Sequence, residues 1–250
     1  MKVRRYQQIA SKLLKTRVME KYEPLKFYIP ETKLLTESSL YSMLHAHKMV
    51  FIKPDKGGGG SGIIRVKRTA KETYEVRFRN QRFFVKESQL WTAVRKRIFP
   101  NKAYLIQQGI DLVRVHSHPC DLRILLQKPR DRWEISGFVA KVAARGQFVT
   151  NYCKGGKPVR AVELFNYLLM GDEKAVRRLL YQLSEISLVT AKILNMRFPG
   201  LRELGIDVGL DRWGGIWILE VNTRPNFQMF RRVFGGSTYR RIVKNHRLVI

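Results

Sequence analysis

Residues 49 to 66 read M-V-F-I-K-P-D-K-G-G-G-G-S-G-I-I-R-V: a short apolar strand ending on Lys53, a glycine run over residues 57 to 62, and a second strand. Missing Cβ atoms let the backbone N–H groups of such a loop close on phosphate oxygens, and Lys53 is placed to reach the phosphates beneath it. The loop formally satisfies G-x-G-x-x-G. A dinucleotide-binding fold, however, needs a helix directly after the glycines, and Ile63-Ile64-Arg65-Val66 reads as strand. No Gly-Lys-Ser/Thr closes the loop as in a Walker motif, and neither H-R-D nor D-F-G of the protein kinases occurs. What remains is a hairpin lid over phosphates, with a plain flexible turn as the competing reading.

Working outward, helices are expected over residues 7 to 22 and 38 to 47, the second with Leu40, Met43, Leu44 and His47 on one face. Residues 73 to 78 and 82 to 85 form a hairpin around Asn80, and residues 88 to 98 a helix carrying Leu90, Trp91, Val94 and Ile98. Strands follow over 103 to 107, 122 to 127 and 133 to 143. Residues 172 to 196 make the longest helical pattern, and strands return at 205 to 210 and 215 to 221. Hairpins mixed with helices, without regular βαβ alternation, predict an α+β fold.

The chain has 250 residues, 44% apolar and 11% aromatic, enough to bury a core, so disorder is excluded. It carries 48 Lys+Arg against 20 Asp+Glu, a net charge of +28. No acid follows Glu220. Such a charge favours polyanions in general and names none; zinc-finger, RNP and basic-zipper signatures are missing. Nucleic acid is thus a less favoured partner than a solvated basic surface. No apolar run approaches the roughly 18 residues of a membrane span. Two cysteines, Cys120 and Cys153, neither pair for zinc nor build a disulfide scaffold. A cytoplasmic setting is the default.

Trp217-Ile-Leu-Glu-Val-Asn222 puts Glu220 and Asn222 on one strand face, roughly 7 Å apart. Asp207 on the preceding strand could complete an oxygen set for magnesium, which takes carboxylate and amide oxygens plus substrate phosphates; a salt-bridged strand end is the bland alternative. In Asp121-Leu-Arg123 the two charged residues share a face, either to contact ribose and phosphoryl oxygens or as a local ion pair. His116 and His118 read as exposed loop residues rather than metal ligands.

F-I-K-P (51–54) with its glycine loop, Y-L-I-Q-Q-G-I (104–110), D-L-R (121–123), G-F-V-A-K-V-A (137–143), F-V-T-N-Y-C-K-G-G (148–156), G-I-D-V-G-L-D (205–211) and W-I-L-E-V-N-T-R-P-N (217–226) together resemble the ATP-grasp superfamily. The pieces Q-K-P (127–129), W-E-I-S-G (133–137) and Y-I-P-E-T (28–32) resemble, more narrowly, its spore-coat-associated YheC/YheD branch.

The resemblance implies two α+β lobes clamping ATP. Residues 1–48 would be a helical N-terminal segment, 49–108 a small lobe with the lid, and 109–250 a large lobe with the metal site. It implies that Lys12 (or its rival Lys15) and Lys53 grip the phosphates, with Gly58, Gly59, Gly60 and Ser61 above them. Gln107, Gln108, Gly109 and Ile110 would form the adenine hinge, and Asp121 would hold ribose. Asp207, Glu220 and Asn222 would bind one or two magnesium ions. Arg123, Lys141 and Asn151 would steady the transferred phosphoryl and acyl-phosphate, with Gly155-Gly156 allowing close approach; Arg224 would meet an anionic substrate or merely solvent. The implied activity is ATP-dependent ligation of a carboxylate to an amine or other nucleophile through an acyl-phosphate, with a kinase-like transfer as a variant. An N-terminal substrate domain is expected to be absent or reduced, which with the charge suggests a polyanionic acceptor. Two other classes stay open: a non-catalytic ATP-binding coat or scaffold protein, and a polyanion- or nucleic-acid-binding protein on the same fold.

Overall fold

The computed structural model describes residues 6–144, 150 and 155–249. In chain order the first elements are α1 (Lys12–Glu20), α2 (Glu23–Lys26), β1 (Thr32–Leu34), α3 (Glu37–Ala46), β2 (Met49–Pro54), β3 (Ile64–Ala70) and β4 (Thr73–Phe78). Then come β5 (Gln81–Lys86), α4 (Glu87–Arg95), β6 (Tyr104–Gln108), β7 (Arg114–Val115), β8 (His118–Gln127) and β9 (Glu134–Val142). The chain ends with β10 (Lys157–Arg160), α5 (Ala161–Leu168), α6 (Glu173–Arg197), β11 (Glu203–Leu210), β12 (Ile216–Asn222), α7 (Gln228–Phe234) and α8 (Gly236–Val249).

Two antiparallel sheets organise these elements. The first runs β1-β6-β2-β3-β4-β5, the second β10-β9-β8-β11-β12 with β7 paired to β8. In the first sheet Val50, Ile52, Ile64, Val66, Val76 and Ile106 turn to one side, where Leu40, Met43 and Leu44 of α3 and Leu90 and Val94 of α4 cover them. Strand alternation therefore sends Phe51, Lys53 and Gln107 to the opposite face, toward the second sheet. Gly109, just past β6, lets the chain leave the sheet: a Cβ there would lie 2.8 Å from the Met49 carbonyl, which already accepts the Gly109 N–H.

The second sheet is built the same way. Leu122, Ile124, Leu126, Ala140, Ile206 and Val208 pack under α6, whose buried side includes Val176, Leu183, Ile186, Ala191 and Leu194. Asp172 caps that helix, accepting from the N–H of Lys174 and Ala175. On the reverse face, α7 and α8 cover Leu125 and Val139 with Met229, Phe230 and Ile242. The rest of that face carries Asp121, Arg123, Lys141 and Asp207, and it is the wall turned to the first sheet.

The N-terminal segment is shared out. Helix α1 packs on α6 and β12, whereas α3 packs on β2 and β6, and β1 pairs with β6. The helix expected from residue 7 begins only at Lys12, because Ser11 caps it and accepts from the Leu14 N–H at 3.1 Å. Elements β1, β7, β10, α2, α5, α7 and α8 were not expected from the sequence. Among the described residues no helix is long and apolar enough to cross a membrane.

Candidate active site

Three pieces of chain bring the site together. Asp55, two residues past Lys53, accepts the Leu13 N–H at 2.8 Å and the Ser11 hydroxyl at 3.0 Å on one carboxylate oxygen, and its carbonyl accepts the Lys12 N–H at 3.0 Å. The start of α1 is thereby tied to the end of β2. Lys12 consequently lines the same cleft as Lys53, its Nζ 3.7 Å from Glu220 and donating to the Gly57 carbonyl at 2.7 Å. Lys15, the rival for the first phosphate lysine, points elsewhere: it is buried and donates to the Ile9 carbonyl at 2.6 Å. Burial drops its pKa to about 8.

Lys53 donates to Gln107 Oε1 at 2.7 Å, and Gln107 Nε2 in turn donates to the Thr32 hydroxyl at 3.1 Å. A neutral amide is weak compensation for an ammonium partly withdrawn from solvent, so desolvation pushes the Lys53 pKa below the usual lysine range. Gln108 Oε1 accepts the Glu31 N–H at 3.2 Å, stapling the chain before β1 to the hinge. Gln107, Gln108, Ile110, Gly58, Gly60 and Ser61 line the cleft. Phe51, Ile63, Leu112 and Leu219, which the sequence reading did not single out, give it apolar walls.

On the opposite wall, register does the assembly. Asp121 lies opposite Lys141, Arg123 opposite Asp207, and Asp207 opposite Glu220. Between Asp207 and Val208 the pairing with β12 shifts, which turns both Leu219 and Glu220 into the cleft. Asp207 accepts from Arg123 Nε and Lys141 Nζ on Oδ1, at 2.8 and 2.7 Å, and from Arg123 Nη2 and Asn222 Nδ2 on Oδ2, at 2.8 and 3.2 Å. Burial alone would raise the Asp207 pKa, but Arg123 and Lys141 hold it well below the carboxylate range. Burial raises that of Asp121, with Lys141 opposing. Both cations, despite burial, are raised by the same two carboxylates.

Asp121 accepts the Thr150 hydroxyl at 2.6 Å on Oδ2. Its Oδ1 lies 3.1 Å from Lys141 Nζ but has no aligned hydrogen-bond donor among the described residues. A buried, cleft-lining acceptor with spare capacity suits a hydroxyl-bearing ligand. Asn151 and Cys153 lie outside the described residues. Gly155 is in positive-φ backbone, where a Cβ would make ordinary contact with Ala144 at 3.5 Å. Cys120 is buried, its thiol pushed up to about 11 by burial, which makes it a poor nucleophile.

Asp207, Glu220 and Asn222 carry oxygen ligands of the hard kind that magnesium takes, and Asn222 Nδ2 donates to Asp207 Oδ2 at 3.2 Å, so these two side chains lie side by side. No three His, Cys, Asp or Glu side chains cluster as a self-sufficient metal site among the described residues. Asp207 and Glu220 line the cleft, so the donor set suits an ion that takes further ligands from a bound phosphate. The cleft volume is about 110 Å³, below the roughly 300–1,000 Å³ of ligand clefts, and Lys12 Nζ bonds the carbonyl of Gly57 at the start of the glycine loop that lines it.

Among relatives, the chain is 27% identical over 81% of its length to the endospore coat-associated protein YheD of Bacillus subtilis (strain 168), covering 45% of that protein. It is 26% identical over 86% of its length to YheC of the same organism, covering 60% of it. The chain thus spans about half the length of these curated relatives. Among solved structures, D-cycloserine synthetase DcsG superposes with a TM-score of 0.60 at 12% identity, over 96% of this chain and 70% of the other. The model of YheC/D-like ATP-grasp proteins matches residues 6–247, and the chain belongs to that family.

Proposed function

We propose that the chain is an ATP- and magnesium-dependent ligase that activates a carboxylate as an acyl-phosphate and passes it to an amine or related nucleophile. One observation carries this reading: Lys12 and Lys53 share a single cleft with Asp207, Glu220 and Lys141, cations on both sides of the space a triphosphate needs, and Arg123 adds its charge through Asp207. Phosphoryl transfer asks little covalent help of the protein and much positioning of positive charge.

In this reading the glycine loop lifts from Lys12 to admit ATP, and Gly58 to Ser61 close over its phosphates. Lys53 exchanges its amide partner for phosphate oxygens, a stronger charge-assisted contact. The backbone at Gln107 to Ile110 meets the adenine edge, and Asp121 Oδ1 accepts a ribose hydroxyl. Glu220 and Asn222, with Asp207, would hold magnesium, which when bound neutralises phosphate charge and polarises the transferred group. Asp207 would release one of its four donors to do so. Arg123 and Lys141, with Asn151, steady the transferred group and the acyl-phosphate.

The acid-free stretch after Glu220, with Arg224 beside the metal strand, supports an anionic acceptor, and the names of YheC and YheD support a coat setting. The four donors already on Asp207 favour a second reading, ATP binding without turnover. Hydroxylamine trapping separates the two. The ligase reading predicts ATP-dependent hydroxamate and phosphate release when candidate carboxylates, including poly-glutamate, are screened. ATP binding with neither product across the screen supports the scaffold reading.

A further inference from the structure

Beyond the hinge the cleft continues. Phe51, Gln108, Ile110 and Leu112 line the candidate active site and also a second cavity of about 820 Å³, within the roughly 300–1,000 Å³ of ligand clefts. Its walls carry Lys48, Arg65, Lys67, Arg77, Arg114 and Arg212 against two carboxylates, Asp111 and Asp211.

Both acids are occupied. Asp211 accepts from the N–H groups of Trp213 and Gly215 and from the Trp217 indole, at 2.8 to 2.9 Å. Asp111 lies 3.7 Å from Arg114 and 4.0 Å from Arg212. Outside the cavity lining, Glu75 binds Arg65 and pairs with Arg77 at 3.8 Å, which fixes these two in place. The cavity keeps a net positive wall, and Lys48 and Lys67 meet no carboxylate among the described residues.

Aromatic surface sits beside this charge. Trp213 is 74% exposed on the tip of the β11–β12 hairpin, with the Arg212 guanidinium 4.3 Å from its ring centre. Asp211 already staples that hairpin, so folding does not require an exposed indole there. Across the cavity, His116 and Ser117 both take positive φ, 45° and 71°, in the two-residue β7–β8 turn. Residues other than glycine hold that conformation at a cost, and here it carries a histidine to the rim.

We propose that this cavity is a second nucleotide-recognising site, next to the ATP cleft and sharing one wall with it. Phosphate is taken by Lys48, Lys67 and Arg114, and a base stacks on Trp213. Cations interleaved with an exposed aromatic suit phosphate plus π-face; an acidic peptide would satisfy the charges and leave the indole without a role. The unit is either a free nucleotide or one link of a single strand.

The test titrates the full chain, without magnesium or ATP, with octathymidylate and with thymidine monophosphate in about 0.1 M salt, reading tryptophan fluorescence. Quenching is expected, with Trp213→Ala weakening binding about fivefold or more and Lys67→Glu lowering the salt slope by about one. Tight binding by the monophosphate identifies a free nucleotide, and binding by the octamer alone identifies a strand. Either supports the site. Equal binding of poly-glutamate that competes with the octamer and ignores Trp213→Ala overturns it, as does the absence of quenching by both probes.

Discussion

Asp207 receives the whole edge of the Arg123 guanidinium, Nε on one oxygen and Nη2 on the other, each at 2.8 Å, and Lys141 adds a third charge-assisted bond at 2.7 Å. Two buried cations thus rest largely on one carboxylate, with Asp121 as the second counter-charge. Asp207→Asn leaves that pair undercompensated and should cost about 3–5 kcal/mol of stability, read from the denaturant midpoint. A loss under about 1 kcal/mol contradicts the assignment.

Lys53 presents the opposite balance. Its half-buried side chain has Gln107 Oε1 as an uncharged partner, and its pKa is depressed by desolvation. Lys53→Met should leave the melting temperature of the unliganded chain unchanged or higher while weakening ATP binding at least about tenfold, the loss of roughly one charge-assisted contact. Unchanged ATP affinity removes Lys53 from the phosphate site.

The pH behaviour of Lys15 separates it from Lys12. Burial, the largest influence, lowers Lys15 to about 8, with Lys12 adding to the effect and Glu220 and Asp55 opposing it. Below pH 8 the folded chain carries a buried charge that the unfolded chain solvates better. Above it the folded chain sheds this proton while the unfolded chain keeps it up to the ordinary lysine value of 10.5. Stability contributed by Lys15 therefore rises with pH from about 8. The stability of the natural chain relative to Lys15→Met should improve between about pH 8 and 10, by denaturant titration at each pH. A difference that stays flat across that window contradicts a buried, depressed lysine.

Much of the framework is legible in the residues. The short apolar run over 49 to 53 and the segment 217 to 222 mark the two strands that carry Lys53 and Glu220, and Gly57 to Gly62 marks the loop between strands. The 172 to 196 pattern marks α6 within a residue at either end. Partner choice is not legible. Asp121-Leu-Arg123 reads either as a ligand-contacting pair or as a local ion pair, yet Arg123 pairs with Asp207, 84 residues away, because β8 lies against β11 in that register. Asp55, which ties α1 to β2, has no motif of its own. The helix α8 escaped because its apolar stripe is thin: Ile242, Asn245 and Val249 are buried among five basic residues, with a polar amide in the middle position.

The central claim is that one nucleotide lies between Lys53 and the Glu220–Asn222 strand with magnesium shared between protein and phosphates. Isothermal calorimetry of the natural chain and Glu220→Gln, each titrated with a nonhydrolysable ATP analogue with and without magnesium, tests it most directly. The expected result is saturable binding that magnesium strengthens in the natural chain, and a magnesium gain reduced about tenfold or more in Glu220→Gln. No heat from the analogue in the natural chain, or an equal magnesium gain in both proteins, contradicts the account.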